Sequence, residues 1–109
     1  MNDFLNKKHE IPYIICAAIW FNDGKVYSHQ PKNIIEGIVV CGRRHHNCFL
    51  TAYELNGKEK LKHVSDYGII QGFVTSDDRF VDRKFAGEIA FKAGQINELT
   101  DCLFSEDLY

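Results

Sequence analysis

The run IPYIICAAIWF (residues 11–21) is the feature that most constrains how this chain folds. It is apolar almost throughout and rich in isoleucine. Pro12 at its start argues against a helix interior and fits the beginning of a strand. Asn22-Asp23-Gly24 follows and supplies the positive-φ positions a hairpin requires, so VYSHQ (26–30) is the expected returning strand and PKNII (31–35) a connection. GIVVCG (37–42) is short, β-branched and bounded by glycines, which predicts a buried strand. A helix is predicted over 44–56, with Phe49, Leu50 and Tyr53 at helical spacing and Gly57 at its C-terminal cap. The charged stretch KEKLKHVSDYG reads as an exposed connection.

IIQGFVTS (69–76) predicts a further strand, and DDRF turns the chain. Asp82 is placed to cap a second helix whose apolar face carries Phe85, Ala86, Ile89, Ala90 and Ala93, with Gly94 ending it. In the tail, Ile96, Leu99, Leu103, Phe104 and Leu108 predict docking against the rest of the molecule. This order of elements predicts an α+β fold: a small single domain over 1–109, flexible over 1–10, with an antiparallel or mixed sheet packed by two or three helices.

A chain of 109 residues suits one modest core. Its formal net charge of -2 lacks the basic excess needed to displace counterions from a long polyanion, whereas a small anion needs only a local field. Aromatic residues make up 13%, enough to place some rings in a binding surface or subunit contact. No apolar run approaches the ~20 residues of a membrane helix, and MNDFLNKKHE lacks a secretion signal's apolar stretch. A cytoplasmic protein is therefore expected, with Cys16, Cys41, Cys48 and Cys102 reduced and mostly buried.

Two charged segments, GRRHHNC (42–48) and TSDDRFVDR (75–83), each follow an apolar strand and precede or open a helix. Helix N-termini offer unpaired N–H groups and partial positive charge, and a guanidinium matches two phosphate oxygens at once. Arg43, Arg44, Arg79 and Arg83 therefore suit a phosphate or pyrophosphate. The plainer alternative is that they are solvated or paired to Asp77, Asp78 and Asp82, and no Gly-x-x-x-x-Gly-Lys phosphate loop is present. Phe73 and Phe80 offer rings for a nucleobase or, equally, packing for a core.

Metal and covalent chemistry find weaker signals. Cys41, His45, His46 and Cys48 match no common zinc spacing, and adjacent helical residues point roughly 100° apart. Cys48 within an apolar helix reads as a small core residue. No Gly-x-Ser-x-Gly elbow occurs.

The blocks GRRHHNCF, GFVTSDDRFVDRKFAGEIAFKAGQI and LFSEDLY, spanning about 36–109, resemble the first-described type of Thoeris anti-defence protein, a phage signal sponge. The resemblance implies a non-enzymatic phage protein that binds a cyclic ADP-ribose isomer, glycocyclic ADP-ribose, made by a TIR-domain enzyme of the infected bacterial host. Held without cleavage, the signal does not reach the Thoeris effector. It further implies a homodimer assembling to a hexamer, sites for cyclic oligonucleotides of the CBASS defence, and no cofactor. The implied ligand residues are Arg43, Arg44 and His45 in the first block and Phe73, Thr75, Ser76, Asp77, Arg79 and Arg83 in the second. The chain is compact for that family, so a second subunit is expected to wall part of the pocket. The competing expectations are a small phosphodiesterase or ADP-ribose hydrolase using His45 or His46 with an aspartate, and an adaptor whose arginines pair with a host protein.

Overall fold

The computed structural model describes residues 11–56 and 69–108; the expected flexible N-terminus, the Gly57 cap and the charged connection 58–68 lie outside them. The element order is β1 (Ile14–Phe21), β2 (Ile38–Gly42), α1 (His45–Asn56), β3 (Ile69–Thr75), β4 (Phe80–Asp82) and α2 (Arg83–Lys92), followed by a 3-10 turn at Ser105–Asp107. The four strands form one sheet in the order β2-β1-β3-β4, every pair antiparallel. This is the α+β class expected from the sequence, with an antiparallel sheet and two α-helices among the described residues.

Strand β1 owes its length and apolar character to its central position. It pairs Ile19 with Val40 on one side and Ala17 with Phe73 on the other. Ala17, Ile19 and Phe21 point to one face, where they join Val40, Phe73 and Val81 beneath both helices. From α1 the core receives Cys48 and Ala52, and from α2 it receives Ala86, Ile89 and Ala90. These small residues let the helices lie close to the sheet. Gly87 serves the same end on another side, because a Cβ there would meet the Thr100 carbonyl oxygen at 2.2 Å.

The seam buried by α1 therefore runs through His45, Cys48 and Ala52, not through the larger side chains that suggested the helix. Leu50 is 50% exposed, while Phe49 is half-buried and stacks toward Tyr53. In α2, Phe85 also turns outward, at 45% exposure, because it lies to one side of the stripe formed by Ala86, Ile89 and Ala90. Asp82 caps this helix as expected, accepting from the Phe85 amide. Its other end is a Schellman motif: Gly94, at φ +76°, donates to Phe91 and Gln95 to Ala90, with Ala93 as the cap residue. In the tail Leu103 is fully buried and Ile96 and Leu108 pack against the core, whereas Leu99 and Phe104 remain exposed.

The expected returning strand at 26–30 does not form. Asn22 and Asp23 instead accept from the amides of Gly24 and Lys25, and Tyr27 donates to Asp23, which holds the chain in successive local turns. The antiparallel neighbour of β1 arrives later, as β2. The intervening excursion reaches β4 on the far side of the sheet. There the Asn33 amide donates to the Phe80 carbonyl at 2.7 Å and accepts from its N–H at 2.9 Å, substituting for a fifth strand. Gln95 treats Ile14 in the same way, at 2.7 and 2.8 Å. The Phe80 and Trp20 rings approach to 6.4 Å on the face opposite the helices. Gly72 makes room there, since a Cβ would meet the Val81 oxygen at 2.0 Å and the Phe80 ring at 2.8 Å.

Replacing Asn33 with alanine leaves both backbone groups of the largely buried Phe80 without these partners. The expected loss is about 1–3 kcal/mol, read as a lower urea midpoint at unchanged slope. An unchanged midpoint would show the amide fork to be dispensable.

Candidate functional site

The first charged segment leaves β2 and turns directly into α1. Asn47 closes this corner by accepting from the Arg44 amide at 3.2 Å. Arg43 is exposed and Arg44 half-buried. Arg44 reaches toward Glu106 of the C-terminal turn, with 3.9 Å between charged atoms. His45 turns inward and is only 8% exposed. Its ring meets Phe73 edge-on, with 5.0 Å between centroids, and Nε2–H donates to the Gly72 carbonyl at 2.7 Å.

The second segment contains two differently constructed arginine sites. Thr75 to Arg79 form a tight hairpin in which the Thr75 amide donates to the Arg79 carbonyl and Asp78 takes φ +64°. The αL position in such a hairpin favours Asp, Asn or Gly. Within it Arg79 Nε donates to Asp77 at 2.9 Å, Thr75 donates to the other Asp77 oxygen, and the guanidinium lies 5.4 Å over the Phe85 ring. Burial pushes the Asp77 carboxyl up, but the bonds from Thr75 and Arg79 and the Arg79 charge outweigh it and hold the group below its usual value. Ser76 exchanges two hydrogen bonds with Tyr13, tying the hairpin to the chain before β1.

Arg83, at the start of α2, reaches across to the first segment. Nη1 donates to the Leu103 carbonyl at 2.8 Å, and Nη2 donates to Gln71 at 2.8 Å and to His45 Nδ1 at 3.3 Å. Its carbon lies 5.0 Å over the Phe104 ring. The two segments, 38 residues apart at this contact, therefore meet through an imidazole and a guanidinium. Burial lowers the His45 pKa most, and the positive Arg83 adds to this against the raising effects of the Gly72 bond and Glu106. The imidazole is consequently neutral, an Nε2–H tautomer with both nitrogens engaged.

The sequence-proposed residues thus fall into two layers. Arg43, Arg44, Ser76, Asp77, Arg79 and Arg83 retain some exposed surface. His45, Phe73 and Thr75, at 8%, 0% and 1% exposure, are buried: His45 meets Arg83, Phe73 meets the His45 ring, and Thr75 bonds to Asp77. Sequence reading missed Phe85 and Phe104, the exposed rings under Arg79 and Arg83, together with Gln71 and Glu106. Helical periodicity had placed Phe85 in the core; its position in the first turn after the Asp82 cap, beside the hairpin, is the signal that could have placed it differently. A separate shallow cleft of about 490 Å³, lined by Lys84, Glu88, Leu99, Thr100 and Asp101, lies along α2 and includes none of the proposed ligand residues. Among the described residues no three His, Cys, Asp or Glu side chains gather as a metal site would require. No helix among them is long and apolar enough to cross a membrane.

Residues 13–109 match the family model described as phage T4 y16D protein. The chain belongs to this phage protein family. The match takes in both charged segments, both helices and the tail that carries Phe104 and Glu106. No curated protein and no solved structure matches the chain.

The buried neutral His45 gives a pH prediction with a definite sign. Its folded-state pKa is depressed below 6.5, so the unfolded chain binds more protons in the window beneath that value. Its contribution to stability is complete above pH 6.5 and is lost as the pH falls through that window. Denaturant titrations between about pH 7.5 and 5.5 should show stability falling more steeply in the wild type than in His45→Gln. Parallel profiles would contradict a neutral, engaged imidazole.

Proposed function

We propose that this phage protein sequesters a small, doubly charged nucleotide signal, a cyclic ADP-ribose isomer such as glycocyclic ADP-ribose, and holds it without cleavage. The observation that carries the reading is the contact between His45 and Arg83, which draws two arginine-bearing segments distant in sequence into one neighbourhood. Membership of a phage family supports a role in the infected host, where a TIR-domain enzyme would make the signal and a Thoeris effector would await it. In this reading Arg43, Arg44 and Arg79 grip the diphosphate. Arg83 braces them, Phe85 or Phe104 stacks on adenine, and Ser76 and Asp77 reach ribose hydroxyls.

The engagement of both His45 nitrogens supports binding without chemistry, because neither is available to take a proton from water. The same fact weighs against a hydrolase built on His45. A sponge needs slow release. A dissociation constant of ~10 nM corresponds to about 11 kcal/mol, and charge-assisted hydrogen bonds contribute ~1.5–3 kcal/mol each once desolvated. Enclosure between two copies of the chain supplies that desolvation. The exposed apolar side chains Leu50 and Leu55 on α1 and Ile11 and Tyr13 before β1 are consistent with a dimer that builds a hexamer. The same oligomer would hold cyclic oligonucleotides of CBASS at further sites.

The test is to saturate the protein with the cyclic ADP-ribose isomer, remove free ligand, denature by heat and quantify what is released. Intact ligand should return in full; a linear or hydrolysed product would overturn sequestration in favour of an enzyme. Arg79→Ala should weaken binding by at least about 10-fold, the loss of one charge-assisted contact, with little change in thermal stability. Arg83→Ala should lose both binding and stability, because its guanidinium also joins α2 to β3, α1 and the tail. Normal binding by both variants would remove the phosphates from this site.

A further inference from the structure

Outside the arginine segments, Cys16 and Cys41 form a thiol pair on the sheet face opposite the helices. Cys41 pairs directly with Ala18, and Cys16 lies two residues from Ala18 on the same face, so the two thiols are diagonal cross-strand neighbours. The two thiols influence one another: Cys41 is the first cause raising the Cys16 pKa, and Cys16 is the first cause lowering that of Cys41. Cys41 is exposed and Cys16 half-buried. Cys16 also sits one residue beyond the last β1–β2 pair, at the point where β1 shifts register against β3, so local backbone adjustment is easiest there.

The other two cysteines differ. Cys48 is buried on the helix side, with its thiol directed at the carbonyls of Arg44 and Ala17 at 3.3 and 3.5 Å. Cys102 lies in the tail, where its backbone is bound to Thr100.

We propose that Cys41 and Cys16 form a redox-modification site in which Cys41 attacks a peroxide-class oxidant and Cys16 resolves the product into a disulfide joining β1 and β2. In the first step the Cys41 thiolate displaces hydroxide from hydrogen peroxide, which breaks the O–O bond and forms a sulfenic acid. In the second the Cys16 thiol attacks that sulfur, closes the S–S bond and releases water. Two thiols are oxidised and one peroxide is reduced to two waters, once the hydroxide takes up the proton lost from Cys41. Cellular thiols reverse the reaction by exchange.

The division of roles follows from exposure, since Cys41 is the exposed thiol and Cys16 the half-buried one. The neighbouring Cys16 lowers the Cys41 pKa against the opposing effect of burial. Cys41 in turn raises the Cys16 pKa, and burial adds to this. An ordinary thiol near 8.5 is only a few per cent ionised at pH 7. Greater ionisation of Cys41 favours attack and is partly offset by the lower intrinsic nucleophilicity of a more acidic thiol. The proposal is independent of the nucleotide reading, since it uses neither the arginines nor their ligand.

The test treats the reduced full-length protein with one equivalent of hydrogen peroxide and maps the products by peptide mass spectrometry. An intramolecular Cys16–Cys41 disulfide is expected, with Cys48 and Cys102 still free. Cys16→Ala should accumulate a dimedone-reactive sulfenic acid at Cys41, because the resolving thiol is gone. A disulfide involving Cys48 or Cys102, or no disulfide at all, would overturn the proposal. Because oxidation and mapping are done on the wild type, the result does not depend on a variant folding.

Discussion

Three acceptors from separate parts of the chain converge on the guanidinium of Arg83: the Leu103 carbonyl in the tail, Gln71 on β3 and His45 at the start of α1. A guanidinium suits this task because its planar fork presents several donors in fixed directions and remains charged at all relevant pH values. His45 passes the connection inward through Gly72, at the middle of the sheet, and rests on Phe73 in the core. The buried polar network is thereby satisfied on every nitrogen of the imidazole, as burial requires. Removing Arg83 would leave His45 Nδ1 and the buried Leu103 backbone short of partners together, so this contact couples the tail to both helices and the sheet.

The same contact brings the two charged segments into one neighbourhood. Three of the arginines are held by their neighbours: Arg79 by Asp77 and the Phe85 ring, Arg44 by the Asn47-closed corner near Glu106, and Arg83 by its three acceptors. Such pre-ordering reduces the entropy lost on binding, the cost that most limits a small binder. The nearby carboxylates Asp77 and Glu106 moderate the field, so under the proposed reading an incoming anion would have to match geometry as well as charge. That reading is in keeping with a net charge of -2, which does not favour general attraction of polyanions.

Much of the fold was legible in the sequence because its signals were local. Pro12, the isoleucine-rich run and the glycine-bounded GIVVCG marked strands, and Asp82 and Gly94 bracketed α2 within a residue or two. The failures had non-local causes. VYSHQ looked like a returning strand after Asn-Asp-Gly, yet β1 found its partner later and the excursion served the opposite edge through Asn33. Periodicity marked the helices but favoured bulky residues, whereas close packing selected Cys48, Ala52, Ala86 and Ala90 and left Leu50 and Phe85 outside. The arginine segments were visible as composition, but nothing local revealed that His45 would become the buried joint between them. That depends on the starts of α1 and α2 being brought together over one core.

The central claim is that both arginine segments act on one anion. Its most direct measurement is a nuclear magnetic resonance titration of the labelled protein with a cyclic ADP-ribose isomer, following backbone amides and arginine side chains. The account predicts that resonances of 43–47 and 75–83 move together with a single saturation curve, with the Arg79 and Arg44 side chains among the most perturbed. Separate curves for the two segments, or perturbation confined to residues remote from both, would contradict it.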